Sequence, residues 1–165
     1  MSMNDLKDIY IDQLQDLYSA DKQSAKITAE LAEAASHDEL KSALEAGVEG
    51  IEQGMQTLEK LIEGHGAKPS GEHCKGMEGL VKEARAHALE ESFGNDEARD
   101  AMIVTQYQRM VHYAIAGYGC VAAFAKRLGL DEEAEALQKC LDASYDGDRH
   151  MSRIAESGGV NAEAV

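Results

Sequence analysis

Proline occurs once in these 165 residues and tryptophan not at all. A single helix breaker leaves room for long uninterrupted helices. No apolar run approaches the ~20 residues that a membrane span requires. Met1 to Tyr10 is polar and acidic, unlike the basic and then apolar pattern of an export signal. Basic residues are scarce: 16 Lys and Arg stand against 31 Asp and Glu, for a formal charge of −15. Nucleic-acid binding needs clustered cations to neutralise phosphate, so neither nucleic acid nor an anionic membrane is an expected partner. The acidity serves solubility first and attraction for cations second. Cys74, Cys120 and Cys140 are odd in number and widely spaced, which is no disulfide framework. They suit a reducing compartment, and a cytoplasmic location is expected.

What remains is helical periodicity. The first helix is predicted over about Asn4 to Ala35, with Tyr10, Leu14, Leu17, Leu31 and Ala35 along one stripe. Asp21 and Thr28 fall on that stripe. Ser36 and Glu39 have the form of a capping box for a second helix. Its stripe reads Leu40, Leu44, Gly47, Ile51, Met55, Leu58 and Ile62, and it stops at Gly64-His65-Gly66. A loop from Ala67 to Gly71 holds the proline, and a short helix is predicted over Lys75 to Leu89. The third long helix runs from about Asp96 to Gly129 along Val104, Gln108, Val111, Ile115, Tyr118, Ala122 and Ala125. Gly129 ends it and Asp131 starts the next. The fourth carries Ala134, Leu137, Leu141, Ser144, Asp148, Met151 and Ala155. Tight links within each helix pair and a long link between the pairs give two antiparallel hairpins joined by a crossover. That is the all-α, ferritin-like four-helix bundle. The bundle is expected over residues 1–156, with a flexible tail over 157–165.

Bundles of this topology place metal ligands on their inner faces, as carboxylates and histidines from all four helices. Asp21 sits on the stripe of helix one, either as such a ligand or paired with Lys22 or Lys26. Asp148 lies on the stripe of helix four, where an ion pair with Arg149, Arg153 or another helix is the plainer account. His112 flanks the stripe of helix three, where a histidine is ordinarily a hydrogen-bonded core residue. Helix two has no inner donor. It has Gly47, Gly50 and Gly54 along one side, each costing roughly 1 kcal/mol in a helix relative to alanine. They imply a close approach, either by Tyr18, Tyr107, Tyr118 or Met55, or by a bound molecule. His65, His73 and Cys74 match no strong zinc spacing. Asp146 and His150 are placed away from the core.

The run Leu17-Tyr18-Ser19-Ala20-Asp21-Lys22-Gln23 resembles the first-helix signature of the YciE/YciF ferritin-like proteins, which usually has Glu at the Asp21 position. Cys74-Lys75-Gly76-Met77-Glu78-Gly79-Leu80 resembles their crossover. Arg99-Asp100-Ala101 and His112 through Gly119 resemble their third helix, and Ala125 through Gly129 the turn after it. The resemblance implies a bacterial, stress-associated bundle that pairs as a homodimer, with Ile9, Ile11 and Phe93 available for the contact. It also implies where a di-metal site would lie, and there the sequence departs. The family's His-x-x-Glu on helix two reads Gly47 and Gly50, its glutamates around His-Tyr read Val111 and Ala114, and its glutamate run on helix four reads Asp142-Ala143-Ser144. Only Asp21, His112 and Asp148 remain as residual metal candidates.

The expected function is that of a non-catalytic or ligand-binding protein with a degenerate di-metal site. No cofactor is expected, beyond weakly held iron or manganese. One alternative is a di-iron or di-manganese oxidoreductase with an unusual ligand set. Another is a small-molecule-binding bundle whose cavity is lined by Gly47, Gly50, Gly54, Val111, Ala114, Tyr118 and Ser144.

Overall fold

The computed structural model describes residues 3–156 and 159–165. Four long helices carry the fold: α1 (Leu6–Ala34), α2 (Asp38–Gly64), α4 (Asp96–Arg127) and α5 (Asp131–Glu156). Between the pairs, a short turn at Pro69–Gly71 leads to α3 (Lys75–Ala84), which widens into a π-helical turn over Arg85–Glu90. The described residues contain no strand. α1 pairs with α2 and α4 with α5 as antiparallel hairpins, and α1 packs on α4. The sequence-predicted architecture is therefore the observed one.

The hairpins end where glycine permits. Gly66 and Gly129 both adopt φ of +73°, the left-handed cap conformation that residues with a Cβ rarely take. The start of α2 differs from expectation. Ser36 does not cap it; His37 is the cap, its Nδ1 accepting from the Leu40 N–H at 3.4 Å. The N–H groups of Ser36 and His37 instead donate to the carboxylate of Asp100, at 2.9 and 2.8 Å. Asp100 is buried and comes from α4, so the first hairpin's turn is pinned by the second hairpin. Asp100→Ala would strand two backbone donors. It is expected to lower stability by roughly 2–4 kcal/mol, measurable by urea unfolding. A loss under ~0.5 kcal/mol would show that solvent satisfies them.

The stripes on α1 are buried as predicted, from Tyr10 and Leu14 to Leu31. The apolar core divides into two clusters. One gathers Ile27, Leu31, Leu44, Ile103, Tyr107 and Ile154 near the α1–α2 turn. The other gathers Tyr10, Leu14, Leu58, Tyr118, Val121 and Leu137 at the opposite end. That second end is closed by a polar latch: Glu133 accepts from the Tyr10 hydroxyl at 2.7 Å and lies 3.0 Å from His65 Nε2.

Past the expected end of the bundle, residues 157 and 158 lie outside the described residues. Residues 159–165 include a short helix, α6 (Val160–Glu163), whose Val160 is buried with Met151 and Ile154 in the first cluster. The chain's last segment therefore contributes an apolar side chain to the core, which its Gly-rich approach did not suggest.

Candidate functional site

Between the two core clusters the bundle opens into a cleft of about 730 Å³, bounded chiefly by α2 and α5 and floored by α1 and α4. All seven residues proposed from sequence as a cavity lining meet here: Gly47, Gly50, Gly54, Val111, Ala114, Tyr118 and Ser144. Asp21, Ser24 and Thr28 supply the α1 side of the floor.

The three glycines turn out to serve two purposes. A Cβ on Gly54 would sit 2.6 Å from the Tyr118 hydroxyl and 3.3 Å from Asp21 Oδ2. A Cβ on Gly47 would collide with the Tyr107 hydroxyl. Tyrosines from α4 thus fill the space over both, as the packing account anticipated. Gly50 is different: nothing lies within 4 Å of where its Cβ would be. Its missing side chain is open cleft. Gly54→Ala gains helix propensity of about 1 kcal/mol but pushes Tyr118 off Asp21. It is expected to destabilise by a net ~1–2 kcal/mol, and much less in a Tyr118→Phe background. Equal effects in both backgrounds, by chemical denaturation, would refute the steric account.

Asp21 is buried at 3% exposure. It is paired with neither Lys22 nor Lys26; the Tyr118 hydroxyl donates to its Oδ2 at 2.5 Å. Burial pushes the Asp21 carboxyl up to about 7, against the opposing pull of the Tyr118 hydrogen bond. Burial also raises the Tyr118 hydroxyl well above its ordinary range, helped by the Asp21 charge. The Cys140 thiol, on the α5 wall, is raised too, by burial first. Further along the floor, Ser24 donates to the Asp21 carbonyl at 3.1 Å. Thr28 is fully buried, and its Oγ1 has no hydrogen-bond partner among the described residues. Tyr107 lines the same cleft, and burial alone lifts its hydroxyl to about 12.

The other two metal candidates lie elsewhere. His112 does not face the core: its side chain is 62% exposed and its Nε2 is 2.9 Å from Asp148 Oδ1. This α4–α5 pair holds the outside of the second hairpin. Gln108 beside it donates to the Asp148 carbonyl and to Ser152 Oγ, both at 3.2 Å. One position along a helix turns a side chain by about 100°, which is enough to carry His112 from the stripe edge to solvent. The weak zinc set disperses as well: His65 meets Glu133, His73 meets Glu78 and Cys74 meets Tyr113. Asp146 and His150 are exposed, as expected, at the rim of the cleft.

Residues 5–165 match the family model for a domain of unknown function, DUF892. The chain is 33% identical to Protein YciF of Escherichia coli (strain K12) over 165 residues, 99% of this chain and 98% of that one. The chain belongs to the DUF892 family. Among solved structures it resembles that of the E. coli stress protein YciF, with a TM-score of 0.88 at 32% identity, covering 96% of this chain and 99% of that one. It also resembles YcfI of Rhodopseudomonas palustris, with a TM-score of 0.85 at 29% identity, covering 92% and 95%.

The residues through which this DUF892 chain resembles the YciE/YciF proteins are here structural. Ser19 Oγ accepts from the Cys74 N–H, and Gln23 donates to the Cys74 carbonyl, both at 3.0 Å. The Cys74 thiol lies 2.9 Å from the Tyr113 hydroxyl, which donates to Asp16 at 3.0 Å. A Cβ on Gly76 would press on the Tyr113 ring at 2.9 Å. Together they fasten the crossover to α1 and α4.

The donor set does not fit the di-metal centre that the resemblance implies. Such a centre draws on about six protein donors. Here Gly47, Gly50, Val111 and Ala114 offer none. Asp21 is engaged by Tyr118, and the His112–Asp148 pair is committed on the outer surface. Glu132, Glu135, Asp146 and His150 stand at the rim, without any three potential ligands grouped among the described residues.

Proposed function

We propose that this chain is a non-catalytic, ligand-binding ferritin-like protein in which an organic molecule takes the place of the di-metal centre. One observation carries this reading: the cleft of about 730 Å³ between the core clusters, with the unpartnered Thr28 Oγ1 buried in its floor. The volume is that of a small-molecule site, for which roughly 300–1,000 Å³ is usual. A buried hydroxyl without a partner loses on the order of 1–3 kcal/mol, which a bound polar group would restore. The walls are mainly apolar, and Gly50 keeps them apart. The stress setting is carried over from the E. coli relative, whose solved structure is that of a stress protein; the cytoplasmic homodimer is our own addition, with exposed Ile9 available for its contact.

Native mass spectrometry of gently purified protein is the test, with metal analysis on the same sample. A co-purifying organic mass is expected, and it should be lost in Gly50→Phe, whose ring would enter the open space. About two metal ions per chain after dialysis would reject this reading in favour of an oxidoreductase with unusual ligands. Light scattering that gave a monomer at micromolar concentration would reject the dimer alone.

A further inference from the structure

The cleft has two polar stations at a fixed separation. α1 and α2 run antiparallel, so Asp21 lies beside Gly54 and Thr28 lies a comparable distance along, beside Gly47. Seven residues separate the members of each pair, about 10 Å of helix. At the first station the Tyr118 hydroxyl occupies the space over Gly54 and bonds to Asp21. At the second, the Tyr107 hydroxyl occupies the space over Gly47, on the same floor as Thr28. Between them stand Gly50, Val111 and Ala114, which offer no side-chain hydrogen bond.

The charges are one-sided. Asp21 in the floor and Glu132, Glu135 and Asp146 toward the rim are opposed by Lys139 alone, with His150 as the remaining titratable base. Neither station has a lysine or arginine, so nothing there would neutralise a carboxylate or phosphate. Every polar side-chain oxygen of the floor can accept a hydrogen bond: the Asp21 carboxylate and the hydroxyls of Ser24, Thr28 and Tyr107. Only one donor, Tyr118, is directed at Asp21.

We propose that the cleft binds an extended organic cation, with an ammonium group at Asp21, an apolar middle along Gly50, Val111 and Ala114, and a hydroxyl-like group about 10 Å away at Thr28 and Tyr107. This rests on the ligand-binding reading above and specifies its chemistry. The ammonium donates to the Asp21 carboxylate, the one carboxyl of the floor, and favours its charged form. The distal hydroxyl satisfies Thr28 Oγ1, which otherwise stays buried without a partner, and meets the Tyr107 hydroxyl on the same floor. The acidic rim and the overall charge of −15 draw a cation toward the mouth.

The test uses four probes of one chain length by calorimetric titration: aminooctanol with its groups at opposite ends, octylamine, octanol and octanoate. Aminooctanol is expected to bind tightest. Octylamine should bind about tenfold more weakly, and octanol and octanoate at least about tenfold more weakly again. Asp21→Asn should abolish the advantage of octylamine over octanol. Thr28→Val with Tyr107→Phe should abolish only the advantage of aminooctanol over octylamine. Helical circular dichroism and unchanged cooperative unfolding verify that the variants fold. Octanol binding as well as octylamine, or octanoate binding best, would overturn the cation while leaving a ligand cleft in place. A co-purifying ligand displaced by none of the probes would overturn it equally. No probe binding, together with no co-purifying mass lost in Gly50→Phe, would bring down both this proposal and the reading beneath it.

Discussion

Asp21→Asn is expected to make the protein more stable at pH 8 while leaving it nearly unchanged near pH 4. The folded protein holds the Asp21 carboxyl at about 7, against an ordinary value of 3.8, because burial disfavours the charged form. In the unfolded chain the same group ionises near its ordinary value. Between those two values the folded state keeps a proton that the unfolded state has released. Stability then falls as pH rises. The fall begins near the unfolded value and levels off above the folded one. Each unit of difference is worth about 1.4 kcal/mol, so the total is on the order of a few kcal/mol. Asparagine carries no charge at any pH and still offers an oxygen to the Tyr118 hydroxyl. The variant should therefore escape the decline. The groups beside Asp21 do not mimic the effect, since burial raises both Tyr118 and Cys140 and keeps them protonated through this range. Urea unfolding of both proteins at several pH values measures it. A difference between them that is constant from pH 4 to 8 would show that Asp21 does not titrate in this window.

Burial drives that shift and is foretold by the stripe; the hydrogen bond that opposes it comes from a partner which no local pattern reveals. The stripe on α1 places Asp21 inward, since Leu14, Leu17 and Leu31 fix the buried face. It does not say that Tyr118, 97 residues away, donates to it. The same division runs through the molecule. Helix lengths and hairpins were legible because periodicity and Gly-rich stops act locally, as Gly66 and Gly129 show. The α2 turn was misread because Ser36 and Glu39 make a plausible local cap, whereas Asp100 reaches in from another helix. The α2 glycines were legible as a face needing space, but not individually. Gly47 and Gly54 make room for tyrosines, and only Gly50 opens the cleft. Distinguishing them requires the register between α2 and α4, which depends on packing of both hairpins. His112 shows how narrow the margin is. Its neighbour Val111 lines the cleft, while His112 itself lies in solvent beside Asp148.

Restoring glutamate at Gly50, Val111, Ala114 and Ser144 is expected to convert the cleft into a metal site. All four positions line it, Gly50 from α2, Val111 and Ala114 from α4, and Ser144 from α5. The Cβ of a glutamate at Gly50 would have no atom within 4 Å, and the position opens on the cleft. With Asp21 these would give five carboxylates, close to the ~six donors that a di-metal centre in this architecture uses. The variant should take up about two iron or manganese ions per chain, and the unmodified protein is expected to hold none stoichiometrically. Without metal, the added carboxylates repel one another across a partly buried cleft. Their folded-state ionisation is then shifted upward, so apo stability should fall as pH rises through and above the ordinary carboxylate range. Metal binds only the folded form, so it should reverse that loss by about 2.7 kcal/mol at a hundredfold excess over its dissociation constant. Metal analysis after dialysis, with thermal unfolding in the presence and absence of manganese, reads both effects. Two results would defeat the account: about two metals per chain in the unmodified protein, or a quadruple variant that folds and gains none. The first would mean that Asp21 and its neighbours suffice. The second would mean that the four helices no longer hold the spacing of a metal centre, even with its side chains returned.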